Sequence, residues 1–584
     1  MYLRETRRTN RDGSVVSYLQ LAHNERRPGT GTPVAKVIHN FGRADRVDRE
    51  ALARLVSSIS RFLSPEQAAT AAAGAQVEVL DARRLGGAWT LDRIWQRLGI
   101  GAAIRRVADD RRVDPDAVER VLFALVAQRA LEPGSKLAAT GWVAHRVAID
   151  GLAAFTDDQA YRAMDFLLDA LPQIAAEVFG SVAHLLNLDL DIVFVDTTST
   201  YWEVDVADEI ADEIADEVAD LTDDAANGVD DEVPNPVEHA ARTFGHSKDH
   251  RGDLPQVVIA MAVTRDGVPV RCWTFPGNTA DTVIIRTVKD DLDGWRLRRL
   301  VWVADRGFAS AANRAYLTRG GGHYIHAEKL RHTNSEAAAA LARPGRYHQV
   351  ADNLRVKEVR VAPGGDGDGG ARTQRFVICH NPEQADRDRT VRDNLIEHLT
   401  GLIADSDGWT ARRRDEFVGS LTGRPGLRRY LRRTRTGLLR IDVAAARRDA
   451  HLDGKYLLRT SDLTLTPADL AAAYKQLLAV ERGWRDLKGA LALRPVYHYR
   501  EDRIRGHVQL CWLALLLIRV AENTAADTWR NIRQELERLA LVTLVTPDGR
   551  VAQRSTLTAR QKSILTALQL PEPPRFFDFT PTTD

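Results

Sequence analysis

Sulfur is scarce in this sequence, with three cysteines and three methionines among 584 residues. Cys272, Cys379 and Cys511 lie far apart, so they form neither a Cys-x-x-Cys pair nor any other spacing typical of a zinc site. An odd number of scattered cysteines also argues against a disulfide framework. We therefore expect a protein of a reducing compartment, the cytoplasm.

Long hydrophobic runs are missing as well. The N-terminal residues MYLRE are too polar to begin a secretion signal. The longest apolar stretch, residues 508–518, is interrupted at Gln509 and is too short to cross a bilayer. It predicts a buried helix in a soluble protein that does not bind membranes.

Net charge is the third quantity that the chain has little of. Lys and Arg number 81 against 80 Asp and Glu, a balance of +1, which excludes a uniformly basic DNA-coating protein and an acidic scaffold. The sum hides segregation, because residues 205–232 hold 13 acidic and no basic residues, whereas residues 411–450 hold 12 arginines and four acidic residues. Like charges four positions apart repel, so the acidic tract predicts an exposed, marginal helix or a disordered insertion. A calcium site is the weaker interpretation, since the tract lacks the loop spacing and glycine of an EF-hand.

Hydrophobic spacing separates the chain into regions. Alternation in residues 14–21 predicts a small β-rich module, followed by one helix near residues 49–62. Apolar residues recur every three or four positions over residues 91–186, which predicts helices. This helical region is either a DNA-reading domain or a plain bundle, and the pattern fits both. Several prolines near residues 571–574 predict a turn or a tail at the C-terminus.

Two short apolar strands are each followed by an aspartate. Asp196 follows residues 192–195, and Asp305 follows residues 300–304. If the strands are neighbours, their carboxylates meet at one edge of the sheet, where hard oxygen ligands hold divalent metal ions. An aspartate after a strand is also common at the start of a loop, so neither residue alone distinguishes a metal site from a structural one.

A predicted helix from about residue 467 to residue 491, with Thr466 as its N-cap, carries a third acidic candidate. Tyr474, Glu481 and Lys488 are spaced by seven, so their side chains fall on one stripe that drifts by roughly 20° per step. An aromatic hydroxyl, an acid and a cation on one face suit a phosphate backbone beside metal ions. The alternative is a solvated face with chance spacing.

Five segments together resemble the DDE-type transposases of insertion sequences, in the IS-four-like superfamily. They are residues 195–198, 245–256, 275–279 and 304–308, and the helix bearing Glu481. The superfamily signature on that helix is Tyr-x2-Arg-x3-Glu-x6-Lys, and Tyr474, Glu481 and Lys488 match its spacing. Leu477 stands at the arginine position, so one phosphate contact is lost or is made instead by Lys475, Arg482 or Arg485.

The resemblance implies a multidomain α/β protein with a ribonuclease-H-like mixed sheet flanked by helices and interrupted by a β-containing insertion. A small β-rich module and a helical domain precede it. The expected domains are a β-rich module (1–75), a helical, possibly DNA-binding domain (76–186), a first catalytic part (187–326, with the acidic insertion 203–240), an insertion domain (327–454), a second catalytic part (455–545) and a tail (546–584).

The resemblance also implies an activity, a cofactor and partners. Asp196, Asp305 and Glu481 would hold two Mg²⁺ ions, with Mn²⁺ as a substitute, in an enzyme that cuts element ends and joins the 3′-hydroxyls to target DNA. The partners would be terminal inverted repeats, target DNA and a second subunit when DNA is bound, in the cytoplasm at the nucleoid. Two other functions stay open: a metal-dependent nuclease without strand transfer, and a catalytically silent DNA-binding derivative.

Basic side chains are the candidates for DNA contacts. Besides Tyr474 and Lys488, they are Lys248, Arg251, Arg306, Arg485, Arg428, Arg429, Arg432 and Arg433. For the last four the alternative is a solvated helix face. Two further questions stay open: whether His246, Asp249 and His250 bind metal, and whether Trp484 stacks on a base or packs in the core.

Overall fold

The computed structural model describes residues 1–26, 33–60, 78–111, 113–185, 192–202, 242–245, 247–248, 251–293, 301–304, 306–331, 335–362, 373–494, 496, 498, 500–546 and 549–581. The acidic tract 205–232 and several predicted site residues lie outside this part of the chain, namely Asp305, His246, Asp249 and His250.

Strands and helices mix along the whole chain, which makes the fold α/β. The strands are β1 (Tyr2–Thr9), β2 (Val15–Arg26), β3 (Pro33–Arg43), β4 (Glu78–Arg84), β5 (Ile192–Tyr201), β6 (Gln256–Thr264), β7 (Pro269–Pro276), β8 (Val301–Ala304), β9 (His323–Glu328), β10 (His348–Ala351), β11 (Leu354–Val361), β12 (Gln374–His380), β13 (Leu431–Arg433), β14 (Leu439–Ile441), β15 (Lys455–Thr460), β16 (Ala540–Thr546), β17 (Gly549–Arg554) and β18 (Phe576–Pro581).

The helices follow the same chain order. They are α1 (Arg49–Ser60), α2 (Gly86–Arg97), α3 (Ile100–Asp109), α4 (Pro115–Leu131), α5 (Lys136–His145), α6 (Asp157–Asp169), α7 (Leu171–Leu185), α8 (Asp281–Asp293), α9 (Ala311–Leu317), α10 (Ser335–Ala342), α11 (Pro382–Ile403), α12 (Ala411–Ser420), α13 (Pro425–Arg428), α14 (Val443–Ala450), α15 (Pro467–Lys475), α16 (Leu477–Lys488), α17 (Glu501–Ala525), α18 (Trp529–Leu536) and α19 (Ala559–Ala567).

Contacts between residues divide the chain into two units. The smaller unit comprises Met1–Ala82, Leu541–Ser555 and Pro574–Asp584, and the larger one comprises Arg83–Ala540 and Thr556–Pro573. This division is coarser than the six domains expected from sequence, whose boundaries stay predictions.

The smaller unit contains an antiparallel sheet, β1-β2-β3, whose central strand includes residues 15–21 of the alternating segment. A second sheet has the order β18-β17-β16-β4. The expectation of a turn or tail after residue 546 is therefore wrong, because β17, α19 and β18 all follow it. The missed signal is Pro547-Asp548-Gly549, a turn sequence at the point where β16 pairs back on β17.

The larger unit is built on a nine-stranded sheet with the order β10-β11-β12-β15-β9-β8-β5-β6-β7. β5, β8 and β9 run parallel, and the remaining pairs are antiparallel. All nine residues of β6 are buried, because side chains pack on both faces of the sheet. β6 and β7 form a hairpin around Arg265-Asp266-Gly267, a sequence typical of tight turns.

The two faces of β5 contribute to different hydrophobic clusters. Ile192 and Phe194 belong to a core shared with α4, α16 and α17, whereas Val193 and Val195 pack with Ile284 and other residues of α8. Side chains alternate along a strand, so Asp196 belongs to the α16 side and the next residue to the α8 side. This alternation decides which groups can reach Asp196.

Helix α17 forms the centre of the larger core, as the apolar stretch 508–518 predicts. It is long and apolar enough to cross a membrane by length and composition, but 89% of its most apolar window is buried within the protein. Two of its side-chain N–H donors bond within the protein: the Gln509 amide donates to the Cys272 carbonyl at 3.2 Å, and the Trp512 indole donates to the Pro269 carbonyl at 3.2 Å. Buried groups bonded in this way indicate a core helix.

Residues 381–454 leave the sheet and return to it at one place. Chain entry and exit are joined by a hydrogen bond from the Asn381 N–H to the Gly454 carbonyl, at 2.8 Å. Gly454 has φ +64°, and a Cβ there would lie 2.3 Å from the Asn381 carbonyl oxygen, so only glycine fits. Between these residues, α11–α14 and the β13–β14 hairpin enclose their own small core around Leu399 and Tyr430.

A buried cation lies where α5 meets α17. The Lys136 Nζ is 2.8 Å from the His507 Nδ1, and no carboxylate of the described residues pairs with it. Burial, reinforced by the Arg129 guanidinium, lowers the pKa of Lys136 to about 7. Burial also holds the pKa of His507 well below its ordinary range, so its neutral ring accepts a hydrogen bond from Lys136.

Stability should depend on pH through Lys136. Its pKa falls from 10.5 to about 7 on folding, so the unfolded chain binds more protons between these values and the free energy of unfolding rises with pH across them. The contribution is roughly 1 kcal/mol per pH unit at its steepest. We expect Lys136→Met to flatten the rise between about pH 7 and pH 9 in denaturant unfolding. Equal pH slopes for both proteins would contradict this assignment.

Candidate active site

The prediction that the strand ends at Asp196 is wrong, because β5 continues to Tyr201 and Asp196 lies in its middle. Neighbouring strands bring two other segments close to Asp196. It pairs in register with Met261 of β6, and Val195, directly before it, pairs with Ala304 at the end of β8. Asp305 is the next residue after Ala304 in the sequence but lies outside the described residues. The two strands are thus neighbours in the sheet, which meets the condition that the sequence left open.

Helix α16 packs closely on this part of the sheet. Gly483 allows the approach, because a Cβ at this position would lie only 2.9 Å from the Met261 Cε. One residue later, the Trp484 indole N–H donates to the Asp196 Oδ2 at 3.2 Å. Trp484 is only 6% exposed, so it packs in the core, which decides between the two interpretations of this side chain.

The single helix predicted over residues 467–491 is wrong, because it is divided at Gln476 into α15 and α16. The Gln476 N–H is shared between the carbonyls of Ala472 and Ala473, at 3.2 and 3.0 Å, which tightens the helix locally. The stripe of Tyr474, Glu481 and Lys488 therefore crosses a break between two helices.

The members of that stripe differ in their surroundings. Tyr474 is half-buried and stacks on Tyr456, with ring centroids 5.8 Å apart. Glu481 is exposed, and Lys488 is half-buried. Leu477, at the arginine position of the signature, is buried in the core at 9% exposure, so a guanidinium at this place would lose its hydration.

Exposed arginines flank Glu481 on α16. Arg482 and Arg485 are both exposed, and neither forms an ion pair with a described residue. Both guanidiniums are therefore available to phosphates. Within the described part of the chain no cluster of three or more His, Cys, Asp and Glu side chains could hold a metal ion, but Asp305 is not among those residues.

Lys248, a predicted DNA contact, lies in an internal network. Its ammonium donates to the Thr197 Oγ1 at 2.6 Å and to the Asp281 Oδ2 at 3.0 Å. The Thr197 hydroxyl in turn donates to the Asp281 Oδ1 at 2.8 Å. Asp281 is not among the residues predicted from sequence. It begins α8, two positions after segment 275–279 of the transposase resemblance.

Arg251 and Arg306 are two further residues predicted to contact DNA. The Arg251 guanidinium donates to the Asp253 carboxylate at 2.9 Å and lies over the Tyr201 ring at 5.2 Å. Arg306 begins a short 3-10 turn, Arg306–Phe308, directly after Asp305.

The arginines of the insertion fall into two groups. Arg429 forms an ion pair with Asp449, and Arg433 forms one with Asp415. Arg428 and Arg432 are exposed and have no ion pair with any described residue. Arg432 and Arg433 belong to the β13–β14 hairpin, so the solvated helix face considered for this cluster is wrong for these two.

Two family models match the chain. The N-terminal domain of IS1634 family transposases matches residues 3–70, and the transposase DDE domain matches residues 228–517. Together these matches support an insertion-sequence transposase. The second match contains Asp305 and Glu481 and begins after Asp196. A DDE domain implies, in general terms, an enzyme that cuts and joins nucleic acid, while the IS-four-like superfamily stays a prediction.

A solved structure of the piggyBac transposase synaptic complex with hairpin DNA is similar over 77% of this chain and 79% of its own. The sequence identity is 8% and the TM-score 0.32, a likeness too low to carry an argument about this protein. No curated protein matches the chain.

The close approach of α16 to β6 can be tested through stability. Gly483→Leu overfills the space beside Met261 and should lower the free energy of unfolding by roughly 1–3 kcal/mol, because packed cores do not absorb extra atoms. Adding Met261→Ala to that variant should recover part of the loss, which denaturant unfolding measures.

The matched control is Gly180→Leu, in α7, where a Cβ meets nothing within 4 Å. We expect this helix-favouring change to be neutral or stabilising. Equal effects at positions 180 and 483 would contradict the close helix–strand contact.

Proposed function

We propose that this protein is a DNA transposase that cuts the ends of an insertion sequence and joins the freed 3′-hydroxyls to target DNA. The observation that carries the proposal is the position of Asp196. It lies beside the end of β8, which precedes Asp305, and it accepts a hydrogen bond from α16, which bears Glu481. The DDE-domain match covers Asp305 and Glu481 and supports a DDE enzyme in general terms.

The topology of the larger sheet supports a ribonuclease-H-like catalytic core. β7, β6 and β5 are consecutive antiparallel neighbours, and β8 and β9 continue the sheet parallel to β5. The helix with the last acidic residue returns to this sheet only after a long insertion between β9 and α15. The resemblance to DDE transposases implies the same arrangement, a mixed sheet that is flanked by helices and interrupted by a β-containing insertion.

The acidic residues fit a site for divalent metal ions. Asp196 is partly exposed and Glu481 is exposed, and carboxylate oxygens are the ligands that Mg²⁺ and Mn²⁺ prefer. With Asp305, they would hold two ions that supply Lewis acidity to the attacking and leaving oxygens. Within the chain, the Trp484 indole orients the Asp196 carboxylate, and the core packing of Trp484 fixes that donor.

The reaction has two steps in this proposal. Water first attacks the phosphodiester at the element end and frees a 3′-hydroxyl, and that hydroxyl then attacks a phosphodiester of the target. Neither step needs a covalent intermediate with the protein. Arg482 and Arg485, exposed beside Glu481, would hold the phosphates, together with Lys488 and Tyr474.

Substitution of the three acids tests the assignment. Asp196→Asn, Asp305→Asn and Glu481→Gln should each lower Mg²⁺-dependent nicking of DNA carrying the element ends by about 100-fold or more, while binding of that DNA persists. The control is Asp386→Asn, an exposed residue of α11. Full activity in Asp305→Asn would refute the triad.

The same preparation separates the alternatives. With pre-cleaved ends and a target plasmid, joined product excludes a nuclease without strand transfer. DNA binding without any Mg²⁺-dependent nicking by the unsubstituted protein would instead establish a silent DNA-binding derivative. Two ends joined at once would also agree with a DNA-bound homodimer acting on terminal inverted repeats.

The insertion's arginines give a second prediction. We expect Arg428→Ala with Arg432→Ala to weaken DNA binding and to make the log–log salt dependence shallower by about 1 for each lost phosphate contact. Arg429→Ala with Arg433→Ala is the matched control, because these guanidiniums are committed to Asp449 and Asp415. Fluorescence anisotropy at several salt concentrations measures both. A larger slope change in the control pair would contradict the assignment.

A further inference from the structure

The network around Asp281 lies on the opposite face of β5 from Trp484. Thr197, the residue after Asp196, is buried at 3% exposure and faces α8. Its hydroxyl accepts a hydrogen bond from the Lys248 ammonium and donates one to Asp281, while Lys248 also donates to Asp281 directly. The three side chains thus close a ring of hydrogen bonds.

Lys248 is held at its backbone as well as at its side chain. Its N–H donates to the Ser199 Oγ at 3.0 Å, and Ser199 is fully buried in β5. The exposed fractions of the Lys248 and Asp281 side chains are 33% and 24%, so the ion pair is partly shielded from water. A lysine fixed at both ends is poorly suited to follow a mobile phosphate backbone.

Asp281 also touches the turn that follows Asp305. A Cβ at Gly307 would lie 2.8 Å from the Asp281 Oδ2, so this turn passes directly against the carboxylate. One carboxylate therefore contacts three chain segments: the residue after Asp196, the segment of Lys248, and the turn two residues after Asp305.

We propose that Asp281, with Lys248 and Thr197, is a positioning group that fixes the middle of β5, which bears Asp196, relative to the turn Arg306–Phe308, which follows Asp305. This role rests on the proposed function, because it acts through Asp196 and Asp305. Asp281 does not itself hold metal in this proposal, because its partner Thr197 points to the face of β5 opposite to Asp196. Its two oxygens bond the Thr197 hydroxyl and the Lys248 ammonium. Outer groups that orient metal ligands commonly control metal affinity and rate.

The test measures Mg²⁺-dependent nicking by the full-length protein, with the turnover rate and the half-saturating Mg²⁺ concentration determined separately. Asp281→Asn and Lys248→Met should each lower the rate or raise the half-saturating Mg²⁺ by roughly 10- to 100-fold, with little change in DNA affinity. Asp281→Glu and Lys248→Arg should retain more activity, since each keeps its charge. Asp281→Asn combined with Lys248→Met should cost about as much as the worse single change, because both break one network.

Two further variants guard against an effect of misfolding. Thr197→Val keeps the side-chain shape but removes the hydroxyl. It should fold and should show the same loss of rate or rise in half-saturating Mg²⁺ as Asp281→Asn. Asp293→Asn, at the other end of α8 and paired with Lys289, is the control and should behave as the unsubstituted protein.

Several results would overturn the positioning role. Independent, multiplying losses in the double variant would do so, as would a rate loss that only follows the amount of folded protein. A weaker DNA affinity with a shallower salt slope in Lys248→Met, beside normal nicking in Asp281→Asn, would make Lys248 a phosphate contact instead. If the unsubstituted protein does not nick DNA, the proposed function itself fails; if it does and Asp281→Asn nicks equally, only the positioning role fails.

Discussion

The contact between α16 and the β5–β6 pair is the constraint on which the candidate site depends. A helix that carries an acidic residue can face a strand aspartate only if the helix axis comes close to the sheet, and side-chain bulk at the interface sets that distance. Gly483 removes the bulk at Met261, and Trp484 adds a directed hydrogen bond to Asp196. Packing and polar geometry are therefore fixed by two successive residues.

On the other face of the sheet, β5 is held by a different kind of interaction. There, charge-assisted hydrogen bonds among Lys248, Thr197 and Asp281 add to the hydrophobic contacts that Val193 and Val195 make with α8. Asp196 and Thr197 are adjacent in sequence and point to opposite faces of the sheet. Asp196 therefore contacts Trp484 of the larger core, whereas Thr197 contacts the Lys248–Asp281 ion pair. Strand periodicity alone makes this division.

Much of this arrangement follows from local sequence. β5 and β8 lie where short, mainly β-branched runs predict them. The division of the helix at Gln476 was not predictable from sequence, because no proline or glycine marks it. Its local sign is one backbone N–H shared between the carbonyls of Ala472 and Ala473. Asp281 escaped notice because a single aspartate at a helix start is ordinary, and only tertiary contacts make it distinctive. Which arginines of the insertion form ion pairs likewise depends on tertiary structure. Arg429 pairs with Asp449 and Arg433 with Asp415, and neither partner is a near neighbour in sequence.

Two described contacts tie residues 381–454 to the rest of the larger unit: the hydrogen bond between Asn381 and Gly454, and the ion pair between Arg331 and Asp449. β10, β11 and β12 are fastened to the main sheet through β15, so they cannot move without breaking a ladder of backbone hydrogen bonds. Residues between Asn381 and Gly454 have their own small core and no strand in that sheet. A rotation about the Asn381–Gly454 neck would therefore have to break the Arg331–Asp449 ion pair, although every strand of the sheet could keep its register. The segment is thus a separately cored extension that is braced to the sheet by one backbone hydrogen bond and one ion pair.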